Sequence, residues 1–121
     1  MKRCLIVDDS KVIRLVAQKI LQEIAFEVEE AADGREALEV CQKEMPNSVL
    51  LGCHMPVVSG IEFLGELRQI PGGGAPIVVF YTTNIDLTHM QEVIKSGADE
   101  YTIKPFDSET IKYKFSQVGL L

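Results

Sequence analysis

Cys4-Leu5-Ile6-Val7-Asp8-Asp9-Ser10 is the stretch on which the reading of this chain turns. Four apolar residues in a row, stopped abruptly, make a short strand covered on both faces. The run ends on two carboxylates, and Asp8-Asp9-Ser10 is a helix-start signal. Beyond it Ile13, Val16, Ala17, Ile20, Leu21 and Ile24 recur at helical spacing. Polar, chemistry-bearing groups therefore stand where a buried strand passes into an amphipathic helix.

The same unit repeats down the chain. Phe26 to Ala31 alternates in part, with Glu27, Glu29 and Glu30 on the wet side of a second strand. Asp33-Gly34-Arg35-Glu36 is a capping box ahead of Ala37, Leu38 and Cys41, and Met45-Pro46 ends that helix. Ser48-Val49-Leu50-Leu51 is a third strand. Ser59-Gly60-Ile61-Glu62 is a second capping box, opening a helix through Leu64 and Leu67. Pro71-Gly72-Gly73-Gly74 is a loop, expected to be a flexible connection. Pro76 to Tyr81 is the strongest strand in the chain. Asp86 starts a helix through Met90, Val93 and Ile94, closed at Gly97. Glu100 to Ile103 is a fifth strand, and Asp107 caps a last helix with Ile111 and Phe115.

Strand and helix alternating five times predict an α/β fold, with a doubly wound, five-stranded parallel sheet in a single domain over residues 1–121. The chain is 46% hydrophobic and carries 18 acidic against 12 basic residues, a net charge of -6. That excess disfavours direct contact with nucleic acid, which needs a basic footprint, and suits cations and basic protein surfaces. No apolar run is long enough to cross a membrane. The first residues turn acidic at Asp8-Asp9, too early for a signal peptide, so the expected location is cytoplasmic. The three cysteines, Cys4, Cys41 and Cys53, have no CxxC spacing and read as free thiols of a reducing compartment.

In such folds ligands sit at the carboxyl ends of the strands. That edge collects Asp8 and Asp9, then Gly52, Cys53 and His54, then Thr82 and Thr83, and finally Lys104. Adjacent carboxylates suit a hard cation such as Mg²⁺. A lysine ammonium and a threonine hydroxyl across from them suit the oxygens of a phosphoryl group. Taken singly, Asp9 reads as a helix cap and Lys104 as a surface charge. Their convergence on one edge favours the functional reading.

At this point the sequence resembles the response-regulator receiver family, in particular its chemotaxis-type single-domain members. The residues that carry the resemblance are Leu5-Ile6-Val7-Asp8-Asp9-Ser10, Ala32-Asp33-Gly34-Arg35-Glu36-Ala37-Leu38, Met55-Pro56-Val57-Val58-Ser59-Gly60, Gly97-Ala98-Asp99-Glu100-Tyr101 and Lys104-Pro105-Phe106. The resemblance implies a flavodoxin-like fold and a role in a two-component phosphorelay. It implies that Asp9 binds Mg²⁺ directly, with Asp8 assisting and the backbone carbonyl of His54 as a further ligand. It implies that Thr82 follows the phosphoryl group, that the rotamer of Tyr101 couples to it, and that Lys104 supports it. The implied partners are a histidine kinase, a phosphotransfer protein or a downstream effector, met by a monomer or weak dimer through the helices at Asp86–Gly97 and Asp107–Phe115.

One departure separates this sequence from the family pattern. The phosphoacceptor aspartate of the family falls on Gly52, which has no side chain to phosphorylate. Loss of that carboxylate weakens any Mg²⁺ site. The expected function is thus a receiver module working through protein contacts, as a phosphorylation-independent pseudo-receiver or an acceptor-site variant, and not an enzyme. Two other classes compete with it. A Mg²⁺-dependent phosphoryl-transfer enzyme resembling haloacid-dehalogenase phosphatases needs an aspartate where Ser10 stands. A small-ligand module for a nucleotide needs a phosphate-binding loop, and Pro71-Gly72-Gly73-Gly74 lacks its lysine and its Ser/Thr.

Overall fold

The computed structural model describes residues 2–52, 60–82, 87–103 and 107–120. The elements run β1 (Arg3–Val7), α1 (Lys11–Glu23), β2 (Glu27–Ala31), α2 (Gly34–Lys43), β3 (Ser48–Gly52), α3 (Gly60–Gln69), β4 (Ile77–Thr82), α4 (Leu87–Lys95), β5 (Glu100–Ile103) and α5 (Ser108–Gln117). All strand pairings are parallel, and the strand order is β2-β1-β3-β4-β5. The order reverses between β2 and β3, so β1 and β3 flank the switch point of the sheet.

Alternation along the strands sorts the core into two layers. Leu5, Val7, Val49, Leu51, Val78 and Phe80 pack with α2 and α3, joined by Val93 from α4. Cys4, Ile6, Leu50, Val79 and Tyr81 pack with Ala17, Ile20 and Leu21 of α1 and with Ile111 and Phe115 of α5. Each central strand feeds both layers, which is why these strands read as unbroken apolar runs. The outer strand β2 is exposed at Glu27 and Glu30, while Glu29 pairs with Arg3 and Glu30 with Arg14.

Local signals were legible at the helix ends. Asp33 accepts a hydrogen bond from Glu36 N at 2.9 Å, and Asp107 from Thr110 N at 2.8 Å. Gly97 takes φ +118°, which strains any side chain, and a Cβ there would also crowd Arg68 Cγ at 3.0 Å. The capping residue Ser59 and the helix start Asp86 lie outside the described residues.

Two expectations are corrected. Val16 belongs to the helical apolar pattern of α1, yet it is 42% exposed, because the buried line of the helix runs through Ala17, Ile20 and Leu21. The glycine loop is not a slack connection. Gly73 is buried, its N–H donates to Ile70 O at 2.9 Å, and its carbonyl accepts from Arg68 at 2.9 Å. That side chain also reaches Pro76 O at 2.8 Å, Gly97 O at 2.7 Å and Asp99 Oδ2 at 3.1 Å. Asp99 in turn accepts from Val78 N at 2.8 Å. One guanidinium thus ties the end of α3, the glycine turn, the start of β4 and the turn before β5.

Cys4 and Cys41 are free and buried. Burial pushes the Cys4 thiol up to about 12 and the Cys41 thiol up to about 11. The thiolate is the nucleophile that attacks an alkylating reagent, so both residues should resist alkylation at pH 8 in the folded chain. The expected result, read by mass spectrometry of digested protein, is modification of Cys4 and Cys41 only upon addition of denaturant. Labelling of either at the rate of a free peptide thiol would contradict their placement.

Candidate functional site

Asp8 is the first residue beyond β1 and is only 4% exposed. A carboxyl group that deep must have its partners built in. Its backbone N–H donates to Ala31 O at 3.1 Å, and its carbonyl accepts from Arg14 Nη1 at 2.6 Å. Its Oδ1 accepts from Ser10 N at 2.8 Å, and its Oδ2 accepts a hydrogen bond from the hydroxyl of Tyr81. Ser10, not Asp9, is the N-cap of α1 and accepts from Ile13 N at 3.3 Å. Asp9 is exposed beside it.

Gly52, on β3 beside β1, and Tyr81, on β4 one strand further, meet Asp8. Gly52 ends β3 and pairs in register with Tyr81 of β4. By the strand alternation all three residues point to the layer of α1 and α5. A Cβ built on Gly52 would lie 2.8 Å from Asp8 Oδ2, 3.2 Å from the Tyr81 hydroxyl and 3.3 Å from Tyr81 Cζ. Tyr81 is fully buried. Burial first, then its hydrogen bond to Asp8, holds its hydroxyl protonated far above the usual tyrosine range.

The structure therefore brings Asp8 and Gly52 together and places Asp9 at the same strand end. Thr82 closes β4, and Tyr101 of β5 pairs in register with Phe80; both are described by backbone alone. Cys53, His54, Thr83 and Lys104 lie outside the described residues. The participant missed in the sequence is Tyr81, which reads there only as the last apolar residue of the strongest strand. Its signal was available: a phenol at the end of a buried strand must find a hydrogen-bond partner.

A family model for the response regulator receiver domain matches residues 4–116. The chain belongs to the response regulator receiver domain family. It is a receiver of the kind used in two-component systems. Among similar proteins is the chemotaxis protein CheY of Halobacterium salinarum, 33% identical, with 97% of this chain and 96% of that protein covered. A probable transcriptional regulator, ycf27 of Cyanophora paradoxa, is 37% identical over 92% of this chain but only 45% of its own length. The chain thus spans about half the length of several curated relatives that it matches. Among solved structures, the chemotaxis protein CheY4 of Vibrio cholerae superposes with a TM-score of 0.92 at 36% identity, over 98% of both chains. No helix among the described residues is long and apolar enough to cross a membrane.

Receiver domains generally bind Mg²⁺ at their acidic site. A magnesium ion asks for a near-octahedral set of oxygen ligands, with one or two carboxylates turned towards it. The described residues do not fit that demand as they stand. Gly52 brings no carboxylate, and both carboxyl oxygens of Asp8 face donors. No group of three or more His, Cys, Asp or Glu among the described residues could hold a metal ion.

Proposed function

We propose that this receiver signals through protein contacts, with no phosphoaspartate formed at position 52. The observation that carries the reading is Gly52 at the end of β3, beside buried Asp8; in this reading it stands at the position where the receiver pattern puts its phosphoacceptor. A glycine offers no oxygen to attack a phosphodonor, and the lost carboxylate also removes a cation ligand. The balance between receiver states is then set by sequence and by partners, not by a phosphoryl charge. Asp9, Thr82, Tyr101, Lys104 and the His54 carbonyl are in this reading inherited site positions.

The partner class is a histidine kinase, a phosphotransfer protein or a downstream effector. The contact surface proposed lies along α4, β5 and α5. β5 is an edge strand, Ile94 of α4 is 47% exposed, and Tyr113 of α5 is 61% exposed. Large apolar groups left in water on elements next to a sheet edge suit a docking surface.

The test is intact-mass spectrometry of the chain incubated with Mg²⁺ and a small acyl phosphate. The expected spectrum shows no added phosphoryl group. A gain of one phosphoryl mass, stable in acid and released by hydroxylamine, would place an acyl phosphate on another carboxylate and overturn the reading.

A further inference from the structure

We infer that Tyr81 and Gly52 are a complementary pair in which the tyrosine hydroxyl, set against the bare end of β3, takes Asp8 as its partner and closes the acidic corner to a hard cation. The inference rests on the reading of position 52 given above and deepens it. Three observations carry it. Gly52 and Tyr81 are register partners on adjacent strands, so their side-chain positions fall on the same face. The place of a Cβ at position 52 lies within 3.3 Å of both the hydroxyl and Cζ of Tyr81, so a carboxylate there and the phenol compete for one space. Asp8 is buried and fixed at both ends. Its main chain is held by Ala31 and Arg14, its Oδ1 by Ser10 and its Oδ2 by Tyr81.

A cation arriving at Asp8 Oδ2 must therefore displace a buried hydroxyl that already donates to it. Restoring the carboxylate alone does not reopen the corner. In Gly52→Asp the new Cβ falls 2.8 Å from Asp8 Oδ2 while the phenol still fills the gap. It would press a second anion on Asp8 without admitting the ion that balances both. A restored carboxylate gains its cation only when the tyrosine hydroxyl is removed as well. That coupling separates a receiver remodelled around its missing acceptor from one that has merely lost it.

A four-chain cycle tests this: the natural chain, Gly52→Asp, Tyr81→Phe and the double variant, each titrated with MgCl₂ and followed by backbone amide shifts in NMR. Tyr81→Phe keeps the ring in the core and removes only the hydroxyl. The expected result is that Tyr81→Phe alone tightens Mg²⁺ several-fold, and that the double variant binds at least tenfold more tightly than Gly52→Asp. Equal affinity of Gly52→Asp and the double variant would overturn the inference, as would no response in any chain. If the double variant fails to fold by circular dichroism, the natural chain against Tyr81→Phe decides, and unchanged affinity overturns it. The two proposals fail separately. Phosphorylation of the natural chain ends the pseudo-receiver reading whatever the cycle shows, and a Mg²⁺ affinity that Tyr81→Phe leaves unchanged in both backgrounds ends the tyrosine's role while leaving that reading in place.

Discussion

Arg68→Ala is expected to lower the stability of the fold by about 3 kcal/mol, the order of losing several charge-assisted hydrogen bonds at a partly buried site. The guanidinium makes five such bonds: to Gly73 O, to Pro76 O, twice to Gly97 O and to Asp99. The pair with Asp99 is the lesser part, since that carboxylate is 39% exposed and an exposed ion pair contributes little. The carbonyls matter more, because they belong to three segments, the glycine turn, the start of β4 and the turn before β5, that one side chain holds together. Asp99 keeps Val78 N as a donor, so the strand start is weakened and not freed. Arg68→Lys should recover only a small share, since an ammonium cannot fork to three carbonyls in one plane. Urea denaturation of the three chains checks this. A midpoint for Arg68→Ala within error of the natural chain would show that the staple carries no stability.

Gly73→Ala is the second large effect, about 3 kcal/mol or more. A Cβ at Gly73 would fall 1.7 Å from Leu67 O, 2.8 Å from Leu67 C and 2.9 Å from Ile70 O. These are backbone atoms at the end of α3, so relief requires the helix end or the turn to move, and overpacking of that kind costs on the order of 1–3 kcal/mol or more. The shift would also break the Arg68 bond to Gly73 O, adding to the loss. The neighbouring Gly74 is the control. It is exposed, and nothing lies within 4 Å of its would-be Cβ. Gly74→Ala should therefore be neutral or stabilise by up to about 1 kcal/mol, because alanine narrows the unfolded ensemble. Equal effects at the two positions in a thermal melt would refute the placement of the turn.

The two glycines look alike in the sequence, and that shows where sequence reading stops. Pro71-Gly72-Gly73-Gly74 announces a turn through its backbone freedom, but not which glycine a helix end will press upon. Arg68 stood equally unmarked, one basic residue in the last turn of a helix. Its partners sit 5 to 31 residues further along the chain, and the farthest, Gly97 and Asp99, reach it only because β5 returns beside β4.

What the sequence determined by itself is what depends on neighbours along the chain. Apolar runs such as Cys4–Val7 and Ile77–Tyr81 demanded cover on both faces, and Asp33 and Asp107 capped helices whose start they marked. The gathering of Asp8 and Gly52 at one edge followed from parallel strands, whose carboxyl ends all point the same way. What the tertiary structure alone decided is what depends on register between strands. Parallel pairing set Gly52 against Tyr81, and only then did a missing side chain on one strand become the room for a hydroxyl from the next. Asp8 and Tyr81 stand 73 positions apart in the chain, and no local rule spans them; the hydrogen bond from Tyr81 to Asp8 exists because the sheet closes that distance.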